Sequence, residues 1–398
     1  MKLRDRKKRV LSNVKQEDHK FDFTVTETTS TSIVANDINT CDLNIKQEDT
    51  KKYSDLLQQN ATALYSSIST KENKSDSRFV VEQTNVLEND PTKFVYKTTI
   101  GNCSFNEFIL SYPSGAYTGM RTVNRDSIVE WKTHAARMTN SLSSIQFEGK
   151  TASQTQAANE ALKSLRDSVG FEAKVIPLLR RGLSEYYEQV DATTHAEHPS
   201  EAKVSLMATY SFEASLSTQQ PYLAAHFAPL PSIPPNKRVK VEIERKERKA
   251  PEVKDSQWVR DRQTLEKNKP VDVNEVLLMD DQEQLYEGMA SNFLVVKDGA
   301  VVCASLDHIL LGSILKIVVK VCEKHDIPLK WEFPLLQDGR QGKWEGCFLT
   351  STSRLLLPIE TILVDNESIE FKEASPLIEF LRKQVADEIY TAAYKVLP

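Results

Sequence analysis

The segment that most constrains the fold is NFLVVKDGAVVCAS, in which Asp298-Gly299 separates two apolar runs. Aspartate followed by glycine is the preferred two-residue turn of an antiparallel hairpin. The preceding run EVLLM reads as a further strand, and Gly312-Ser313 opens a helix that is apolar nearly all round, which indicates burial. The sequence therefore predicts an α/β (α+β) chain of mostly antiparallel sheets with packed helices.

Composition divides the chain into an N-terminal arm and a folded remainder. Residues 1–92 contain no glycine or tryptophan and little apolar periodicity, so burial there could hardly offset the entropy of ordering the chain. We expect a largely disordered arm over this range. A small α/β domain is predicted over 93–228, a proline-rich linker over 229–236, and a larger domain over 237–398.

Two local patterns predict particular elements in the first folded region. The segment FNEFILSYPSGAYTGMRTV, residues 105–123, is rich in aromatic and branched residues and reads as strand-like. Asp126 or Ser127 can then cap a helix whose apolar positions recur at three- and four-residue steps as far as Leu142. A strand followed by an amphipathic helix is therefore expected here.

The overall composition argues against several classes of protein. With 51 basic and 56 acidic residues, the formal net charge of −5 does not favour a nucleic-acid partner. The five cysteines are odd in number, scattered and without CxxC spacing, which argues against a disulfide framework and a zinc site. Neither a secretory signal nor an uninterrupted membrane span is visible. We expect a cytoplasmic protein without a membrane partner.

Short motifs in the arm suggest a second location. A basic cluster lies within residues 4–9, and the tetrapeptide KQED occurs twice, around Lys15 and around Lys46. The basic cluster is similar to a nuclear import signal, and apolar-Lys-x-acid is similar to the acceptor site of small ubiquitin-like modifiers. Both patterns also arise by chance in a solvated polar tail. A nuclear location is therefore kept as an alternative to a cytoplasmic one.

Lys254 and Glu287 form the residue pair with the clearest chemical meaning. They lie 33 residues apart, Lys254 in APEVKDSQW and Glu287 in LYEGMASN. When a fold brings a lysine and a carboxylate together, the amine can bind pyridoxal phosphate covalently while the carboxylate keeps the pyridine nitrogen protonated. Taken singly, they also read as a surface lysine in a charged strand and a glutamate at the start of a hairpin. The pair predicts a cofactor enzyme.

Four stretches in order carry a resemblance to a known family: SGAYT from Ser114, HAARMTNS from His134, KDSQWVRDR from Lys254 and FLTSTSR from Phe348. They resemble the class IV aminotransferases, the fold type IV pyridoxal-phosphate enzymes that include branched-chain and D-amino acid aminotransferases and aminodeoxychorismate lyase. The likeness spans roughly 105–140 and 222–365 and favours a branched-chain-aminotransferase-like subgroup. It implies a two-domain fold with 237–398 as the cofactor-binding domain, a homodimer, pyridoxal 5'-phosphate, and amino acid and 2-oxo acid substrates.

The resemblance also implies a role for each matching residue. Lys254 corresponds to the catalytic lysine that binds the cofactor, and Glu287 to the partner of the pyridine nitrogen. Arg137 corresponds to the phosphate-binding arginine, whose planar fork can donate two hydrogen bonds. Tyr117 and Arg121 are expected to line the substrate side. The other expected cofactor-binding residues are Ser291, Asn292, Ser313, Ile314, Thr352 and Ser353. No metal site is expected, because the histidines form no cluster.

The chain departs from better-known members of this family at two places. Ser313-Ile314-Leu315 replaces an apolar-Thr-Arg run, and Val259 stands where the branched-chain enzymes have a tyrosine against the cofactor's phenolic oxygen. These departures weaken the assignment to branched-chain substrates. We predict a pyridoxal-phosphate-dependent transaminase, with two alternatives: a lyase of the aminodeoxychorismate lyase type, and a catalytically weak cofactor-binding protein with a nuclear regulatory arm.

Overall fold

Two sheets form the framework of the protein. The computed structural model describes residues 77–193, 200–213 and 221–398, which lie in one compact unit, Lys71–Pro398. The first sheet begins with β1 (Arg78–Gln83), β2 (Tyr96–Gly101), β3 (Gly115–Val123), β4 (Ser127–Val129), β5 (Ala202–Tyr210) and β6 (Pro221–Pro229). The second contains β7 (Val239–Arg245), β8 (Glu275–Met279), β9 (Leu285–Gly288), β10 (Asn292–Lys297), β11 (Ala300–Cys303), β12 (Leu329–Trp331), β13 (Gly346–Ser351), β14 (Leu355–Val364) and β15 (Glu367–Glu370). The last strand, β16 (Ala393–Lys395), returns to the first sheet.

The strand pairing is mostly antiparallel, which confirms the predicted fold class. The first sheet is antiparallel throughout its described strands, in the order β16-β4-β3-β5-β6-β1-β2. The second has the order β12-β11-β10-β13-β14-β7-β8-β9, with β15 beside β14 and parallel pairing of β7 with β8, β7 with β14, and β11 with β12. A further pairing joins β9 to β10 through Glu287 and Asn292, so six strands close into a ring.

Helices pack on both sheets. Those of the described residues are α1 (Phe105–Leu110), α2 (Trp131–Ser144), α3 (Ala152–Ala161), α4 (Lys163–Arg166), α5 (Ser168–Thr193), α6 (Gln257–Asp261), α7 (Gln263–Asn268), α8 (Ser313–Lys324), α9 (Leu336–Arg340) and α10 (Pro376–Thr391), with a 3₁₀ turn at Pro91–Lys93. α2 and α5 share a buried core with the first sheet, and α8 and α10 share another with the second. None of these described helices combines the length and apolar character that crossing a bilayer requires.

The hairpin and the helix after it are confirmed. β10 pairs with β11 across Asp298 (φ 52°) and Gly299 (φ 67°), the left-handed conformations that this turn requires. α8 begins at Ser313, directly after Gly312. A Cβ on Gly312 would lie 2.3 Å from Oδ1 of Asn292, so only glycine allows the start of α8 to approach β10 this closely.

Two local predictions on the N-terminal side are wrong. Residues 105–110 form α1 and not a strand, because Ser104 and Glu107 make a reciprocal capping box at its start. Ser127 does not cap a helix but begins β4. The chain then turns at Glu130, whose φ of 53° is left-handed, and α2 begins at Trp131.

The predicted end of the arm at residue 92 is also wrong. β1 lies within that range and pairs with β6, and its side chains Phe79 and Val81 are 2% and 0% exposed. The alternation RFVVEQ is short, but β1 pairs with β2 on one side and with β6 on the other, and this pairing stabilises the strand. Residues 1–76, which hold the import and modifier motifs, lie outside the described residues. The chain changes sheets between Pro229 and Val239, where the linker was predicted, and the division into two domains stays a prediction.

Candidate active site

Lys254 is anchored between the first sheet and α2. Its carbonyl oxygen accepts a hydrogen bond from the Tyr117 N–H (3.1 Å), and its own N–H donates to Oγ of Ser141 (2.9 Å). Next to it, Ser256 N–H donates to Gly115 O at 2.8 Å, so the segment is fastened along the start of β3. The Lys254 Nζ atom lies 4.9 Å from the centroid of the Tyr117 ring. The lysine therefore projects from a fixed backbone over an aromatic face.

The environment of Lys254 favours its neutral amine. Burial lowers the pKa of Lys254 well below its usual range. Neighbouring guanidinium groups lower this pKa further, while the carboxylate of Glu287 opposes them. The guanidinium groups are those of Arg137, Arg248 and Arg262. A neutral amine is the form that attacks an aldehyde and accepts a proton.

Glu287 lies on β9, is 3% exposed, and has a defined partner for each oxygen. Oε2 accepts a hydrogen bond from the Leu310 N–H at 3.1 Å. Oε1 forms an ion pair with Nη1 of Arg248, also at 3.1 Å. Burial raises the pKa of Glu287, and the charges of Arg248 and Lys254 oppose that rise. The carboxylate is thus close enough to Lys254 for each group to affect the other's titration.

Arg248 is a residue of this site that the sequence did not reveal. Its side chain is 6% exposed, and Nη2 donates to the Val253 carbonyl at 2.7 Å. Its Cζ lies 5.6 Å from the centroid of the Trp258 ring, within range of a cation–π contact. In the sequence Arg248 belongs to the charged run ERKERK, where nothing distinguishes it from the exposed Lys249.

Arg137 projects from α2 into the interior. Its Nη2 donates to Oγ1 of Thr118 at 2.6 Å and lies 2.9 Å from Nδ1 of His134, and Nη1 donates to the Leu311 carbonyl at 3.3 Å. Burial lowers the pKa of Arg137 to about 10, so the group remains charged at neutral pH. Burial and the Arg137 charge hold the pKa of His134 well below its usual range. Nε of Arg137 is buried and finds no hydrogen-bond partner among the described residues.

The start of α8 brings two predicted phosphate elements together. Oγ of Ser313, the first residue of α8, lies 3.0 Å from Oγ1 of Thr352 in the turn between β13 and β14. The first N–H groups of a helix have no partner within it and favour anions. The side chain of Ile314 is apolar, so only its backbone N–H could donate to an anion, and Ser353 follows Thr352 in the same turn. Arg137 reaches this end of α8 through its bond to the Leu311 carbonyl.

The side chains of Ser291 and Asn292 form hydrogen bonds to other groups of the protein. Oγ of Ser291 donates to Oε2 of Glu275 at 2.9 Å, and the same carboxylate accepts a bond from Arg354 at 2.6 Å. Nδ2 of Asn292 donates to the Leu310 carbonyl at 2.7 Å. Asn292 thereby supports the loop whose Leu310 N–H binds Glu287. Direct contact of Ser291 and Asn292 with a cofactor stays a prediction.

The two predicted substrate residues have different positions. Tyr117 is 2% exposed and lies under Lys254, whereas Arg121 is four residues further along the same face of β3, about 13 Å away by the rise of a strand. Burial lowers the pKa of Arg121, and the nearby carboxylate of Glu201 opposes this shift. Tyr117 is therefore brought to Lys254 and Arg121 is not. Val259 is fully buried in an apolar cluster that includes Tyr117.

The donor set suits pyridoxal phosphate in each of its functional groups. Lys254 supplies an amine for an aldehyde, and Glu287 a buried carboxylate for a ring nitrogen. A phosphate could bind to the N-terminus of α8, to the paired hydroxyls of Ser313 and Thr352, and to Nε of Arg137, which has no partner within the described part of the chain. These residues therefore fit the cofactor that the resemblance implies.

Comparison with known proteins identifies the family. Residues 115–362 match the family described as amino-transferase class IV, which is more than half of the chain. The chain therefore belongs to the class IV aminotransferases. Because enzymes of this class are pyridoxal-phosphate-dependent, the predicted family, class of enzyme and cofactor are confirmed.

One similar protein is a D-alanine aminotransferase from Listeria monocytogenes serotype 4b (strain F2365). It is 28% identical over 111 residues, which is 28% of this chain and 37% of that protein, so the match spans little more than a third of the relative's length. A branched-chain aminotransferase from Thermoproteus uzoniensis, solved with norvaline, has 13% identity and a TM-score of 0.55, covering 81% of this chain and 99% of its own. A hypothetical aminotransferase from Mycobacterium tuberculosis, in a pyridoxal-phosphate-bound form, has 12% identity and a TM-score of 0.54, covering 79% and 99%. The two solved structures share the fold.

Proposed function

We propose that this protein is a pyridoxal-phosphate-dependent aminotransferase that exchanges an amino group between an amino acid and a 2-oxo acid. The observation that carries the proposal is the placement of Lys254, whose pKa is lowered, within electrostatic reach of the buried Glu287. The phosphate-type donors of Arg137 and α8 support it from the other end of the site.

Lys254 would act twice in this reaction. When bound, pyridoxal phosphate supplies an electron sink beside the α-carbon of the substrate. Nζ of Lys254 would bind the cofactor covalently and, as a free amine, would accept the α-proton of the substrate as a general base. The lowered pKa suits the second role, because an amine that is neutral near the working pH can accept that proton.

Glu287 and Arg248 would act as a unit at the ring nitrogen. Burial favours a protonated carboxyl group at Glu287, which could not accept the ring N–H as a charged partner. Arg248 opposes this effect and orients Oε1, while Leu310 N–H fixes Oε2. We infer that Arg248 keeps Glu287 ionised and in place for the cofactor.

Amino acids with aliphatic side chains are the proposed substrates. We base this proposal on two similar proteins, one described as a D-alanine aminotransferase and one as a branched-chain aminotransferase solved with norvaline. The apolar cluster of Tyr117 and Val259 beside Lys254 is consistent with a short aliphatic chain. From membership of the family we also propose a homodimer and a cytoplasmic location. Assaying both enantiomers of each amino acid will determine the stereochemistry of the substrate.

The direct test is the amino-exchange half-reaction. Purified protein is loaded with pyridoxal phosphate and mixed with L- or D-alanine or L- or D-leucine while the spectrum of the cofactor and the 2-oxo acid product are followed. We expect conversion by the wild type, none by Lys254→Ala, and wild-type rates for Lys249→Ala, a control at an exposed lysine five residues away. Release of pyruvate from an amino acid without transfer to a 2-oxo acid would instead support the lyase alternative. Cofactor uptake without either reaction would support the catalytically weak alternative.

A further inference from the structure

A buried ion cluster joins α2 to α8 outside the proposed cofactor contacts. Glu130 Oε2 lies 2.8 Å from Nζ of Lys316, and Oε1 lies 3.2 Å from Nζ of Lys320. Lys316 also donates to Oγ1 of Thr133 at 2.7 Å, and Thr133 in turn donates to Glu130. We name these four residues the ion cluster.

The centre of the ion cluster is shielded from solvent. The side chains of Lys316 and Glu130 are 15% and 6% exposed, whereas Lys320 is 43% exposed. The backbone of Glu130 is also held, since its N–H donates to the Ala392 carbonyl at 2.8 Å. The Glu130–Lys316 pair is therefore a fixed contact, unlike the pair of Lys324 with Glu388, which is 3.7 Å apart with the lysine 63% exposed.

The same two helices carry the proposed phosphate contacts. Glu130 at the start of α2 contacts Lys316 inside α8, whereas Arg137, two turns further along α2, contacts Leu311 just before α8. The helices thus pass each other in opposite directions with Arg137 at the N-terminal end of α8. A slip of one turn would displace Arg137 by about 5.4 Å along α8 and remove it from Ser313 and Thr352.

We propose that Glu130 and Lys316 are positioning residues for the phosphate end of the site: their buried ion pair fixes α2 against α8 and thereby holds Arg137 at the N-terminus of α8. The proposal rests on the proposed function, because it assigns the phosphate of pyridoxal phosphate to that end. We assign neither residue a contact with the cofactor. Their effect reaches it through the placement of Arg137.

The test compares a ligand that has the phosphate with one that lacks it. Pyridoxal phosphate and pyridoxal are titrated separately into wild type, Glu130→Gln, Lys316→Met and the charge-exchanged double variant Glu130→Lys/Lys316→Glu. Lys324→Met is the matched control on the same helix. We expect each single variant to raise the Kd for pyridoxal phosphate about tenfold, because a small displacement of a charged donor weakens binding strongly. The Kd for pyridoxal should stay unchanged, and the exchanged pair should restore most of the affinity.

Two results would overturn the proposal while leaving the enzyme assignment intact. The first is wild-type affinity for pyridoxal phosphate in folded single variants. The second is an equal loss of affinity for both ligands that follows a lowered melting temperature and is not restored by the exchanged pair, since that is the behaviour of a merely structural contact. A wild type that takes up neither ligand would overturn the proposed function itself, and this proposal with it.

Discussion

Replacing Arg248 by methionine removes the only charged partner bonded to Glu287 among the described residues. The two side chains are 6% and 4% exposed, so the solvent screening that weakens surface pairs does not apply. Breaking a buried pair by removing one partner costs about 3–5 kcal/mol. Because the Leu310 N–H still donates a hydrogen bond to one oxygen of Glu287, we expect Arg248→Met to lower the free energy of unfolding by the lower end of that range, about 3 kcal/mol.

The pH dependence of this loss gives a second measure. Without Arg248, burial holds the pKa of Glu287 above its unfolded value, as it already does in part in the wild type. A carboxyl group of this kind contributes stability below its unfolded pKa and loses it as pH rises through the folded pKa. The deficit of Arg248→Met relative to wild type should therefore be small near about pH 5 and grow towards about pH 8.

Urea unfolding of the cofactor-free protein at both pH values is the assay. Glu287→Gln and the double variant complete a double-mutant cycle, which isolates the coupling between the two residues. Arg245→Met is the control, because its pair with Asp365 is 3.3 Å long with side chains 47% and 54% exposed, and such pairs contribute below about 1 kcal/mol. A loss below about 1 kcal/mol for Arg248→Met at pH 8, without coupling to Glu287→Gln, would show that the Arg248–Glu287 pair does not stabilise the fold.

Other variants test the two ends of the site. Arg137→Met should raise the Kd for pyridoxal phosphate about 100-fold but leave that for pyridoxal nearly unchanged, as equilibrium dialysis can show, because a charged donor to the phosphate is lost. Lys254→Met should raise the urea midpoint of the cofactor-free protein at pH 7, because the lowered pKa of Lys254 means that folding must release the proton of its amine. This gain in stability should shrink towards pH 10, where the unfolded lysine also begins to lose its proton. A gain that grew with pH would contradict the lowered pKa. Gly312→Ala should weaken cofactor binding measured by fluorescence, because its Cβ would meet Asn292 Oδ1 at 2.3 Å and displace the start of α8; unchanged binding would show that this close approach is not required.

The elements that the sequence predicts well are those with strong local signals. The Asp298-Gly299 turn dictates its hairpin through left-handed backbone, and the glycine before Ser313 marks the start of α8. β1 was missed because six residues carry a weak pattern, and its partners in β6 lie 140 to 148 residues further along the chain. Local capping at Ser104 similarly overrode the strand propensity of the residues after it.

The residues of the candidate site likewise fall into those with a sequence motif and those without one. Lys254, Glu287 and Arg137 could be named from motifs, because the chemistry of the cofactor requires those residue types. Arg248 could not, since only the fold shows that one cation of a charged run turns inward to Glu287. The ion pair of Glu130 and Lys316 could not be predicted from the sequence either, because the two residues lie 186 positions apart.

Covalent binding of pyridoxal phosphate by Lys254 is tested by locating the cofactor on the chain. Protein loaded with pyridoxal phosphate is reduced with borohydride, digested, and analysed by peptide mass mapping, with Glu287→Gln treated in parallel. We expect one labelled peptide, carrying the cofactor on Lys254, and in Glu287→Gln the same labelled site with slower amino exchange. Label on another lysine, or no label above that of Lys254→Ala, would contradict it.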